Sequence, residues 1–293
     1  MATPREIKIR IKSVTNTRKI TKTMEMVSTA KMKKMQQRLE MTKPYAGKLD
    51  TIISHVRDSA ADDVYDPLIA ERTNPSRILV LTLSGNRGLC GGFNTNMIEN
   101  TLNFQKKLSI EQGKEVLIYN VGKKGANYFR FVGQEVFKAM ENPEDKFTFT
   151  EASALGSELI NLFTTGEVDE VYLSYTKILS SSSQKPTIHR LLPITTEETN
   201  VIDKREEFKM DYIFEPSAYE VLASIFPLYV KVKLYTCFLE TNFSEHFARR
   251  VAMKNATDAA TDMVRDLNIT YNRARQAKIT NEIAEIVGGA AAL

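Results

Sequence analysis

The chain has 293 residues, 42% hydrophobic and 26% charged. That length allows one or two domains, and the hydrophobic share can build a core. No apolar run approaches the ~20 residues that span a bilayer, which argues against a membrane-embedded role. Cys90 and Cys237 lie far apart, with no partner at metal-ligand or redox-motif spacing, so a disulfide framework is excluded and a reducing compartment is the expectation. The N-terminus is charged from Arg5 onward and lacks the apolar stretch of a secretory signal. The net charge of +4 hides an asymmetry: residues 1–40 carry 11 basic side chains against Glu6, Glu25 and Glu40. A basic arm on a near-neutral body points to an acidic partner, whether nucleic acid, anionic lipid or protein.

From Pro4 to about Arg57 there is no glycine before Gly47 and one internal proline, Pro44. Pro4 suits a first helical turn. Apolar residues recur at Ile7, Ile11 and Val14 and again at Ile20, Met24, Val27, Met35 and Leu39, a spacing near 3.5 broken by Thr17 and Thr21. This reads as one helix of ~80 Å. Alternating elements follow: strand Ile78–Leu83, helix Thr95–Leu108, strand Glu115–Tyr119, helix Lys124–Phe131, strand Glu135–Ala139, helix Ala152–Phe163 and strand Val168–Lys177. A polar loop, Ser180–Ser183, precedes a last strand around Ile188–Leu192. That order predicts a largely parallel sheet in an inserted Rossmann-like α/β domain. From Pro216 to Val287 the chain is again free of glycine, interrupted only by Pro227, and reads as a helix of ~108 Å. Its apolar seam is predicted at Phe243, Phe247, Val251, Met263, Leu267, Tyr271, Ala274 and Ile283. A narrow seam fits a coiled-coil partner. The predicted organisation is an N-terminal helix over 1–60, the α/β domain over 75–195 and a C-terminal helix over 210–293, with the two terminal helices pairing antiparallel.

The glycine cluster Gly85-Asn-Arg-Gly88-Leu-Cys-Gly91-Gly92 stands between a strand and a helix, where a nucleotide-binding loop would lie. It lacks the Gly-Lys-Ser/Thr of a phosphate loop and the GxGxxG spacing, and Tyr119-Asn120 stands where a ribose-binding acid would end the second strand. A tight structural or partner-contacting turn is the alternative. His55, His189 and His246 are scattered, and no nucleophile, metal set or carboxylate pair stands out. His246, between Phe243 and Phe247, is expected to be a packing histidine. Residues 1–40 contain no aromatic side chain to stack on bases, and their apolar seam implies a protein partner. No cofactor, metal or catalytic group is expected. Beyond Glu285 the chain carries no charge, which suggests either an enclosed tip or a frayed alanine tail.

The run from Lys12 to Val27 with Lys31-Met32, the loop Arg87–Gly92, the segments Ser244–Arg249 and Val251–Asp258, and the ending Tyr271–Val287 resemble the gamma subunit of the F-type ATP synthase, across the whole chain. In that family the terminal helices form an antiparallel coiled coil that turns inside a ring of three alpha and three beta subunits. The α/β domain bears on the epsilon subunit and the membrane c ring. The resemblance implies that Arg275, Gln276, Thr280 and Glu282 contact the catch loop of a beta subunit, and that Met24 and Arg249 face its acidic lever. It also implies that Arg87 and Cys90 lie in a turn close to that lever. The basic face Lys31, Lys33, Lys34 would meet acidic beta surfaces. Gly85-Asn86 stands where the family usually has Ser or Thr followed by Asp, and Arg250 replaces a usual Met. The chain lacks the cysteine-bearing insertion of the chloroplast form and any transit peptide, so a bacterial enzyme is implied, with the protein peripheral at the cytoplasmic face of the plasma membrane. A coiled-coil scaffold and a nucleotide-binding α/β enzyme are the alternatives from other classes.

Overall fold

The computed structural model describes residues 3–59, 66–180, 183–194 and 218–291. Among the described residues five α-helices and five strands follow one another in the predicted order. In chain order they are α1 (Pro4–Ser59), β1 (Arg77–Leu83), α2 (Phe93–Lys106), β2 (Glu115–Val121), α3 (Lys123–Phe131), β3 (Lys138–Met140), α4 (Phe149–Thr164), β4 (Glu170–Ile178), β5 (Gln184–Leu192) and α5 (Ala218–Ala291). Helices α1 and α5 are continuous over 56 and 74 residues, with Pro44 and Pro227 inside them at the cost of a backbone hydrogen bond each. A capping box starts α4: the Glu151 amide donates to the Thr148 hydroxyl, and the Glu151 carboxylate accepts from the Thr148 amide at 2.7 Å. The polar loop expected at Ser180–Ser183 lies partly outside the described residues.

The chain divides into two compact units, one of Lys31–Ala248 and one of Met1–Ala30 with Arg249–Leu293. In the first of these the sheet order is β3-β2-β1-β4-β5. Strands β1 to β4 pair in parallel and β5 closes the edge antiparallel to β4. A short connection from β4 leaves no room for a crossover helix, so the partner must run back. Strand β3 is shorter and later than the expected Glu135–Ala139, because Phe137 still spends its amide on the Ile118 carbonyl outside the ladder. One face of the sheet (Leu79, Leu81, Leu83, Val171, Leu173) packs under Leu155, Leu159 and Phe163 of α4, Leu49 and Ile53 of α1, and Leu222, Phe226, Val230, Leu234 and Phe238 of α5. The other face meets Leu108, Ile98 and Phe129 in two smaller clusters. Helix α5 holds an 18-residue window of mean hydropathy 1.4, apolar enough on composition to cross a bilayer, which corrects the expectation that no apolar run comes near that length. The burial of Leu222 to Phe238 in the sheet core accounts for apolar character in this helix.

In the second unit α1 and α5 run antiparallel along a thin seam. From α1 it takes Ile7, Ile11, Val14, Arg18, Thr21 and Ser28, and from α5 Met253, Ala256, Thr257, Ala260, Val264, Leu267, Tyr271 and Ala274, all buried or half-buried. Thr257 donates to the Thr21 hydroxyl across it at 2.8 Å. This corrects the predicted seam. Thr21 lies in it, whereas Ile20, Val27, Val251, Met263 and Ile283 are exposed. The alternation of three and four residues from Ile7 onward keeps one face inward, and that register assigns Arg18 and Thr21, not Ile20, to the inner positions.

Candidate functional site

The eight residues implied as partner contacts fall in both units. Arg87 and Cys90 belong to the sheet-containing unit; Met24, Arg249, Arg275, Gln276, Thr280 and Glu282 belong to the two-helix unit. Met24 is half-buried and Arg249 buried. Arg275, Gln276, Thr280 and Glu282 lie on successive turns of α5 and are all exposed. The Thr280 hydroxyl bonds the Gln276 carbonyl at 3.0 Å, and Glu282 pairs with Lys278 at 3.5 Å. These contacts are local to the helix and leave the surface open. Beyond Ala274 every α5 residue with a described side chain is exposed, including Ile279, Ile283, Ile286 and Val287.

The loop between β1 and α2 is pinned from within. Asn94 accepts the Gly85 amide at 2.9 Å and donates to the Arg87 carbonyl and the Cys90 sulfur at 3.3 and 3.2 Å. Cys90 is buried, so its thiol holds the loop and only the loop's rim can meet a partner. Arg87 and Leu89 form that rim, the Arg87 side chain 75% exposed and Leu89 in the left-handed region at φ 61°. The crevice where a Rossmann fold would take a nucleotide is filled. The Ser84 hydroxyl donates to the Val121 carbonyl and accepts from the Gly125 amide, and a Cβ on Gly122 would lie 2.1 Å from the Ser84 carbonyl oxygen. Among the described residues no group of His, Cys, Asp or Glu is arranged to hold a metal ion.

A polar cluster that the sequence reading missed lies beside this loop. Asn142, Glu144, Asp145, Asn242, Glu245 and His246 are drawn together there; of these, Asn142, Asn242, Glu245 and His246 are buried. The Glu245 carboxylate abuts Gly85, where a Cβ would come within 3.0 Å of it. Thus the glycine at 85 matches a buried glutamate on α5. His246 is a packing histidine with a partner: its Nε2 is 2.9 Å from Asp145 Oδ1. Lys31 also pairs with Asp145, at 2.7 Å, so of the proposed basic face only Lys33 and Lys34 are exposed. Burial pushes the Asp145 carboxyl up, but the hydrogen bonds from Lys31 and His246 outweigh it and hold it below the usual carboxylate range. The run Glu240–Asn242 with Ser244–His246 marks polar positions on the helix, but nothing in the sequence pairs them with Asn142–Asp145.

These features define the class: two long helices carried with an α/β domain whose nucleotide crevice is closed by its own residues. The comparisons with known proteins narrow it. A family model described as ATP synthase matches residues 3–293. The ATP synthase gamma chains of Leptospira biflexa, Gemmatimonas aurantiaca and Legionella pneumophila are 42%, 40% and 37% identical to it, covering 100% of this chain and 100%, 99% and 100% of theirs. Among solved structures, the fold matches a chain in the rotor of the Euglena gracilis mitochondrial ATP synthase, with TM-score 0.65 and 19% identity over 94% of this chain and 98% of that one. It also matches one in the central stalk and c ring of the Tetrahymena thermophila enzyme, with TM-score 0.58 and 24% identity over 81% and 99%. The chain belongs to the ATP synthase gamma-chain family, and so is a subunit of that membrane-associated enzyme complex.

Proposed function

We propose that this gamma chain is the central rotor shaft, coupling ion-driven turning of a c ring to ATP synthesis or hydrolysis at three beta-subunit sites. One asymmetric shaft inside three chemically identical sites makes them inequivalent, because each site meets a different face and its conformational equilibrium is biased accordingly. The observation that carries the reading is the end of α5. A stretch of helix with Ile279, Ile283, Ile286 and Val287 exposed and, among the described side chains, none buried beyond Ala274 is disfavoured in water unless a partner surrounds it. Gln276, Thr280 and Glu282 on the same turns would then meet beta, as would Arg87 at the loop rim, Met24 and Arg249. Exposed ion pairs contribute only ~0–1 kcal/mol each, so many weak contacts permit turning without locking. The sheet-containing unit would engage the epsilon subunit and the c ring, placing the protein at the cytoplasmic face of the bacterial inner membrane.

The test is to assemble the chain with alpha and beta subunits fixed to a surface and a filament attached through a Phe131→Cys variant, Phe131 being 86% exposed. Filament rotation on addition of ATP is expected, with Gln276→Ala and Thr280→Ala lowering ATP turnover at equal assembly. A stationary filament on a ring that hydrolyses ATP would overturn the reading.

A further inference from the structure

The segment Asn142–Asp145 makes more side-chain bonds to the rest of its unit than its length requires. On one side it is tied to the partner-contacting loop. Asn86 donates to the Asn142 carbonyl at 2.7 Å and to the Glu144 carboxylate at 3.2 Å, and accepts the Asn142 amide at 3.1 Å. Asn142 donates to the Ser84 carbonyl at 3.0 Å, and Arg87 approaches the Glu144 carboxylate at 3.7 Å. On the other side it is tied to both long helices. Asn242 of α5 donates to the Glu144 carbonyl at 3.0 Å, Arg38 of α1 donates to the Asp145 carbonyl at 2.9 Å, and Lys31 and His246 hold the two Asp145 oxygens.

Backbone conformation gives a second, independent observation. Glu144 is in the left-handed region at φ 54°, one of two non-glycine residues with positive φ among the described residues, the other being Leu89 at the rim of the loop itself. A side chain there is disfavoured and persists only where its surroundings over-determine it. The Glu144 amide, carbonyl and carboxylate are each bonded, to Asn142, Asn242 and Asn86.

We propose that Asn142–Asp145 is a positioning strap that binds the Gly85–Gly92 loop to α1 and α5, so that the loop's rim, Arg87 and Leu89, turns with the helices as one body. The proposal rests on the rotor reading, and adds to it where torque enters the loop. Arg87 touches the partner; Glu144, Asp145 and His246 act through it. Weakening the strap would loosen the loop against the helices, and its encounter with beta would be smeared over a range of shaft angles.

Spin labels on Leu89→Cys and Lys34→Cys, both exposed positions, report the loop against α1 in the full chain. The labelled parent should give a narrow distance distribution. Asp145→Ala and His246→Leu should broaden it about twofold, since removing the supporting contacts lets a positioned group wander, while His246→Gln, which keeps an N–H for Asp145, should restore it. Circular dichroism identifies any variant that has lost its helices, and the His246→Gln and His246→Leu pair then carries the test. In the assembled synthase the broadened variants should pump several-fold fewer ions per ATP hydrolysed, with hydrolysis itself retained. A distribution equally narrow in Asp145→Ala, His246→Leu and the parent would overturn the strap. A parent complex that hydrolyses ATP without pumping ions would instead sink the rotor reading, and would leave the distance result to decide the strap.

Discussion

The two compact units of this chain are stabilised by different means. In Lys31–Ala248 a five-stranded sheet has side chains buried on both faces, and Leu79, Leu81, Leu173, Phe163 and Phe238 are closed off from water. In Met1–Ala30 with Arg249–Leu293 two helices share a seam that includes Arg18, Thr21, Ser28 and Thr257, and α5 carries on past it with its isoleucines exposed. The first unit closes a core of its own, with Ile110 and Phe131 left exposed at its surface. The second leaves much of its apolar surface for something else to cover, and that is the physical signature of a part built to work inside a partner.

The largest effect should come from the closed core. Phe238, stacked on Phe147 at a centroid distance of 4.0 Å, should cost about 3–5 kcal/mol when changed to Ala; Ile283→Ala, at 56% exposure, should change the isolated chain's stability by less than about 0.5 kcal/mol. Denaturant unfolding of the two variants measures the contrast, and equal losses would break it. Next is Gly85→Ala. Its methyl group would meet the Glu245 carboxylate at 3.0 Å, and crowding of that kind costs about 1–3 kcal/mol. Measured in a Glu245→Ala background, the cost of Gly85→Ala should largely vanish in the same unfolding measurement. A smaller effect, about 1 kcal/mol, is expected for Thr257→Val, which keeps the seam's shape but removes the bond to Thr21; thermal melting of the full chain would register it.

Acid sharpens the comparison further. Burial pushes the Asp169 carboxyl up, but the Arg77 amide, the Arg72 guanidinium and the Ser76 amide and hydroxyl outweigh it and lower the group to about 2. Its folded value lies below the unfolded value of about 3.9. It therefore contributes stability that is fully present above that unfolded value and is lost as pH falls from about 4 to about 2. Asp169→Asn should flatten the pH dependence of unfolding across that window. An unchanged slope would mean that the anchoring of residues 72–77 on Asp169 adds nothing.

The two long helices, the sheet and most of its strands were legible from periodicity, because Ile78–Leu83 and the glycine-free terminal runs leave few other choices. The seam's register was not. Apolarity favours Ile20 and Met263, but inward positions are set by the heptad, which counts Thr21 and Ala260 regardless of their polarity or size. Of the candidate site, Gln276, Thr280 and Arg87 are exposed, while the burial of Cys90 did not follow from its place in a glycine-rich loop. The Asn142–Asp145 strap was illegible for a different reason. Its partners Asn86, Arg38, Asn242 and His246 come from three distant parts of the chain, and only the fold brings them together.

The central claim is that the far end of α5, which has no closed core of its own, is completed by a surrounding partner, while the sheet strands are buried within their own unit. Hydrogen exchange of the isolated chain, compared with the same chain assembled with alpha and beta subunits, tests this most directly. The amides of α5 from Met263 to Ala291 should exchange rapidly alone and gain strong protection in the complex, while β1 and β4 should be protected equally in both. If α5 gained no protection on assembly, or were already as protected alone as β1, its exposed face would not be the surface a partner covers, and the account of this chain as a shaft would be contradicted.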